Sequence, residues 1–158
     1  MGFLLLPLRL VIVYNPNVSS ESKEQHDIRV TVEVMYSPGH SRAGAYFYIY
    51  FIRIENFGTM TAQLLRRHWF IRDATGETQE VEGEGVIGEQ PILEPGASFQ
   101  YHSGVPISST PGKMHGYYTF KDELGKEFKA EVPAFELPQP AVLVAANDSR
   151  PAVKRIVN

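Results

Sequence analysis

Gly83-Glu84-Gly85-Val86-Ile87-Gly88-Glu89-Gln90-Pro91 is the stretch that decides between two kinds of fold. Its first six residues spell Gly-x-Gly-x-x-Gly, the pattern of a dinucleotide-binding turn. Such a turn lies between a strand and a helix, whose first amides meet the pyrophosphate. The surroundings oppose that reading. Pro91 closely follows the last glycine, and Glu94-Pro95-Gly96 marks another turn before a helix could extend. Glu80, Glu82, Glu84 and Glu89 crowd negative charge where a phosphate would sit. The segment therefore reads as a loop between strands, with glycines serving positive φ or close backbone approach. Gly83, Gly85 and Gly88 are the weak candidates for a phosphate-holding loop. They carry the alternative function, binding of a phosphate, a nucleotide or a divalent cation such as Mg²⁺ or Co²⁺.

Outward from this loop the periodicity is two, not 3.6. Ile28, Val30, Val32, Val34 and Tyr36 alternate with Arg29, Thr31 and Glu33, which predicts a half-buried strand. Further strands are expected at 46–55, 63–73, 77–82, 97–105, 114–121 and 127–135. Turns fall at Asn56 to Gly58, Thr75-Gly76, Glu94-Pro95-Gly96, Thr110-Pro111-Gly112 and Leu124-Gly125. No window of helical length shows i, i+3, i+4 periodicity without a Gly or Pro in it. About seven short antiparallel strands predict an all-β, immunoglobulin/fibronectin type III-like sandwich. Trp69 on the third strand matches the buried inter-sheet tryptophan of such sandwiches. Tyr118, two residues before Phe120, has the spacing of a tyrosine corner, with Phe120 at the core site of a disulfide cysteine. The expected organisation is an irregular N-terminal extension over 1–27, the sandwich domain over 28–138 and a flexible C-terminal tail over 139–158.

Composition narrows the function classes. The chain has 158 residues, 43% hydrophobic and 21% charged, enough for one self-sufficient core. Its net charge is −3 and it has no run of Lys or Arg, so nucleic-acid binding through phosphate neutralisation is disfavoured. The absence of cysteine removes disulfides, thiolate nucleophiles and Cys-based zinc sites, and fits an intracellular, cytoplasmic setting. The apolar run from Gly2 to Val13 is too short for a stable bilayer span.

Catalytic constellations are missing. His26, His40, His68, His102 and His115 show no metal-ligand spacing and read as surface or strand residues. Ser103 follows His102, but no Gly-x-Ser-x-Gly elbow is present. Glu80 and Glu82 share a strand face without EF-hand spacing. Gly112-Lys113 lacks both the upstream glycine and the Ser or Thr of a Walker site. No catalytic residue, metal ligand or cofactor is expected.

The second long strand carries the strongest functional hint. Tyr46, Tyr48, Tyr50, Ile52 and Ile54 form one face, while Phe47, Ile49 and Phe51 form the other. A sandwich strand ordinarily buries one face and wets the other. Either the N-terminal run (Phe3 to Val13) or a loop covers the second apolar face, or it docks a protein partner or a second copy of the chain.

Several motifs together resemble one family. Arg67-His68-Trp69, Val81-x-Gly83-x-Gly85-Val86-x-Gly88-x-Gln90-Pro91, Leu93-x-Pro95-Gly96, Tyr101-x-Ser103-Gly104 and Met114-x-Gly116-x-Tyr118-x-Phe120 resemble the ApaG domain, from about Ile28 to Leu137. The resemblance implies a fibronectin type III-like sandwich without an established catalytic activity. Bacterial members stand alone as ApaG or CorD and are linked genetically to cobalt and magnesium resistance. Eukaryotic members are appended to F-box proteins, where they are implicated in substrate recognition for ubiquitination, and to a polymerase-δ-interacting protein. No F-box is recognisable here, and Phe47, Ile49 and Phe51 stand where bacterial members carry small residues. The expected function is a non-enzymatic protein–protein interaction module.

Overall fold

In the computed structural model, residues 10–13 and 24–140 are described. Among the described residues nine strands follow one another: β1 (Leu10–Val13), β2 (Ile28–Tyr36), β3 (Tyr46–Asn56), β4 (Ala62–Arg72), β5 (Thr78–Glu84), β6 (Ile92–Leu93), β7 (Ser98–Ile107), β8 (Gly112–Asp122) and β9 (Glu127–Leu137). A 3₁₀ turn, Pro38–His40, sits before β3. All pairings are antiparallel. One sheet runs β1-β2-β3-β7 and the other β5-β4-β8-β9, with β6 pairing β4.

The seven expected strands are all present, and alternation explains why. Val30, Val32 and Val34 of β2, Tyr48, Tyr50, Ile52 and Ile54 of β3, and Tyr101 and Val105 of β7 face inward. From the other sheet Leu64, Trp69, Ile71, Met114, Tyr118, Phe120, Val132 and Phe135 meet them. Trp69 is buried between the sheets, edge-on to Tyr50 at 5.7 Å and to Tyr118 at 5.7 Å. Each such aromatic contributes a few kcal/mol through burial, about 1.5–3 for a large apolar side chain.

Two expectations need correction. The N-terminal extension is not irregular throughout: Leu10–Val13 forms β1, with Leu10 opposite Val34 and Val13 opposite Thr31. β1 extends the first sheet in its own plane, so at these residues the N-terminal run adds an edge instead of covering β3; residues 3–9 lie outside the described residues. The tyrosine corner is also replaced. Tyr118 is fully buried, as its position suggested, but its hydroxyl meets that of Tyr101 at 2.5 Å across the two sheets. Tyr101 reaches it from the opposite sheet, which strand spacing alone does not reveal. The segment before β2 is held where His26 Nε2 meets Asp122 Oδ2 at 2.8 Å while its ring stacks on Phe128. The expected tail over 139–158 lies outside the described residues beyond Pro140.

Candidate functional site

The glycine segment resolves into a tight turn carried by β5. Gly83 still belongs to that strand, opposite Arg67 of β4. A Cβ on Gly83 would lie 2.9 Å from Arg67 Nη1, so the missing side chain gives the guanidinium its place. Arg67 Nη1 donates to the carbonyls of Glu84 (3.1 Å) and Gly85 (2.8 Å), clamping the start of the loop. Ile87 and Gly88 both have positive φ, 44° and 79°, and Val86 and Glu89 exchange amide–carbonyl bonds of 2.9 Å on either side. That is the geometry of a two-residue type I′ turn. Gly85, φ 60°, donates its amide to Leu65 O at 2.8 Å. The amides of Gly85, Val86 and Glu89 are therefore spent inside the protein, and a strand (β6), not a helix, comes next. Arg67, which holds the segment, carries the chemistry of local order here.

The outer face of β3 brings Phe47, Ile49 and Phe51 together, as alternation requires. Phe51 is 39% exposed, and Phe47 and Ile49 are half-buried. Phe47 lies across Gly104 of β7, where an added Cβ would overlap its ring, and His40 packs at 5.5 Å between ring centroids. The phenyl ring thus covers a side-chain gap in its own sheet. Phe51 instead turns toward His102, centroids 5.7 Å apart, along a shallow groove of about 440 Å³. Thr31, Glu33, Arg53 and Gln100 are among its other lining residues.

A second cluster, which no sequence motif marks, lies on the outer face of the other sheet. His68 Nε2 contacts Glu80 Oε1 at 2.5 Å and its Nδ1 meets the Tyr117 hydroxyl at 3.1 Å. Phe70 stacks on His68 and on His115, at 4.6 and 5.0 Å between centroids, and Lys129 Nζ sits 4.2 Å over the Tyr117 ring. The result is an aromatic strip bordered by the carboxylates of β5. The signal for it was present in the Thr75-Gly76 turn, which sets the register that pairs His68 with Glu82. Among the described residues, no group of three or more His, Asp or Glu could hold a metal ion.

Inside the sandwich the phenols stay protonated. Burial pushes the Tyr118 hydroxyl far above its usual range, with Tyr101 adding to the shift. Burial also raises Tyr101 and Tyr50, only partly opposed by Tyr118 and Ser103 respectively and by the Arg67 charge. The Tyr101 and Tyr118 hydroxyls tie the two sheets together in their neutral form.

Comparison with known proteins places this geometry. The model of the ApaG domain matches residues 37–122. Protein ApaG of Bradyrhizobium diazoefficiens is 51% identical over 115 residues, covering 72% of this chain and 88% of that protein. Protein ApaG of Methylobacillus flagellatus is 44% identical over 122 residues, covering 76% and 96% respectively. Among solved structures, an ApaA protein from Bordetella pertussis superposes with a TM-score of 0.73 at 38% identity, over 76% of this chain and 99% of that one. Among the described residues, no helix is long and apolar enough to cross a membrane. With a two-sheet sandwich, an Arg67-clamped glycine turn and relatives sharing close to half their residues, this chain belongs to the ApaG domain family.

Proposed function

We propose that this chain is a non-catalytic protein-recognition module that docks a protein partner on the outer face of its first sheet. The observation that carries this reading is Phe51, 39% exposed beside Ile49 on a central strand. Outward positions of a sandwich strand are ordinarily polar, and a contiguous exposed apolar patch marks an interaction site. His102 and the groove beside it supply polar edges that orient a partner. The phosphate-loop alternative has less support, because the amides of Gly85, Val86 and Glu89 already have carbonyl partners.

The test separates surface from core. Ile49→Ser together with Phe51→Ser is expected to leave the fold intact at a cost of about 1 kcal/mol in a urea titration. The same variant is expected to lose at least about tenfold, roughly 1.4 kcal/mol, in association measured by sedimentation and by partner binding. Phe47 is left in place because its ring covers Gly104. Unfolding of the double variant, or association equal to that of the wild type, overturns the reading.

A further inference from the structure

We propose that the free edge of β5 accepts an extended basic segment of a partner protein as an added strand. The backbone supplies the first part of the argument. Asp73 N donates to Glu77 O at 3.0 Å, and Gly85 N donates to Leu65 O at 2.8 Å. Between these two ends an antiparallel ladder alternates, so Gln79, Val81 and Gly83 bond to β4. Thr78, Glu80 and Glu82 consequently turn their N–H and C=O groups away from β4. Among the described residues no strand lies beyond β5, and all of β5 except Gly83 is exposed. The open row stops at Glu84, whose carbonyl is taken by Arg67.

Edge strands are usually blunted by proline, lysine or bulges. The edge strands β7 and β9 follow that rule, carrying Pro106 and Pro133. β5 has neither proline nor lysine. Its only guard is charge, and charge selects the occupant. Pairing with β5 of a second copy would set Glu80 and Glu82 against the same carboxylates, which destabilises a sheet. A strand with Lys or Arg at alternate positions would instead place cations opposite Glu80 and Glu82, on the face that already holds His68 and Phe70. Its intervening side chains would point to the other face, where Val81 is 40% exposed. The fitting segment alternates basic and apolar residues, and recognition by strand addition follows: main-chain bonds give affinity and alternate side chains give specificity.

The inference does not rest on the first sheet's outer face, so the Ile49→Ser, Phe51→Ser variant should behave here like the wild type. The experiment titrates the full chain with a synthetic peptide alternating lysine and valine. Amide exchange is read residue by residue. Exchange at Thr78, Glu80 and Glu82 is expected to slow at least about tenfold. A peptide alternating glutamate and valine, or the lysine peptide N-methylated at alternate amides, should leave exchange unchanged. Glu80→Lys with Glu82→Lys should reverse the preference toward the glutamate peptide. Absence of binding, protection elsewhere only, equal binding of the N-methylated peptide, or an unreversed preference would each overturn the proposal.

Discussion

Gly116→Ala is expected to lower stability by on the order of 3 kcal/mol, the upper range for forcing volume into a packed core. β8 passes so close to β4 at this point that an added Cβ would overlap the carbonyl of His68 and lie 2.8 Å from Trp69 Cε3. The carbonyl is ladder backbone and the indole is wedged among Tyr50, Tyr118 and Phe135, so neither can step aside. A loss of that size lowers the melting temperature by roughly 10 °C in a domain of this length. Gly39→Ala is the control, since open space surrounds a Cβ there and its φ is not in the left-handed region. Comparable urea midpoints for the two variants would contradict the close approach of β8 and β4.

Asn56 has a similar expected effect through a different mechanism. Its side chain is buried at 2% exposure, and every polar site on it is used. Nδ2 donates to Met60 O at 2.8 Å and Leu93 O at 2.9 Å, while Oδ1 accepts from Gly58 N at 2.9 Å. One amide thereby ties the β3–β4 turn to β6. Asn56→Ala strips this side-chain partner from two carbonyls and one amide at once, and a buried group left unsatisfied costs about 1–3 kcal/mol, so a loss of about 3 kcal/mol is expected. Asn56→Asp keeps the shape but cannot donate when ionised, and aims a buried charge at two carbonyl oxygens. Burial and those carbonyls raise its folded-state pKa above the unfolded value. The folded state then binds the proton more tightly, so the aspartate variant regains stability as pH falls below that raised value. Urea titrations at pH 7 and pH 5 check the sign; a deficit that is constant or grows on acidification relative to wild type contradicts this account.

How much of this was legible depends on whether the signal was local. The alternation in Ile28 to Tyr36 and Tyr46 to Glu55 reports burial residue by residue, so these strands and their faces follow from it, while the inward Trp69 followed from its place on the third strand of a sandwich. The phosphate reading of Gly83 to Gly88 could be weakened from its neighbours for the same reason. Non-local pairings were not legible. Tyr118 has corner spacing, but whether its hydroxyl finds backbone or Tyr101 depends on how two sheets superpose. Asn56 looked like an ordinary turn residue because Leu93, one of its partners, arrives from a distant two-residue strand. The short strand Leu10–Val13 was hidden by its setting in a run with Pro7 and Arg9, where alternation is lost. The His68–Glu80–Tyr117 cluster lies between these cases. The hairpin register sets Glu82 opposite His68 and Glu80 opposite Phe70 on the same face, and the neighbouring strand supplies Tyr117.

Site-specific photo-crosslinking shows whether the Phe51 face meets another protein. A photoreactive phenylalanine placed at position 51 of the full chain, in cells of the source organism, should yield discrete protein adducts on illumination. The same group at position 124, where Leu124 is 81% exposed on the β8–β9 turn, serves as the comparison. The account predicts adducts at position 51 that disappear when Ile49 is also changed to Ser and that are absent at position 124. Equal labelling at the two positions, or none at position 51, would contradict it.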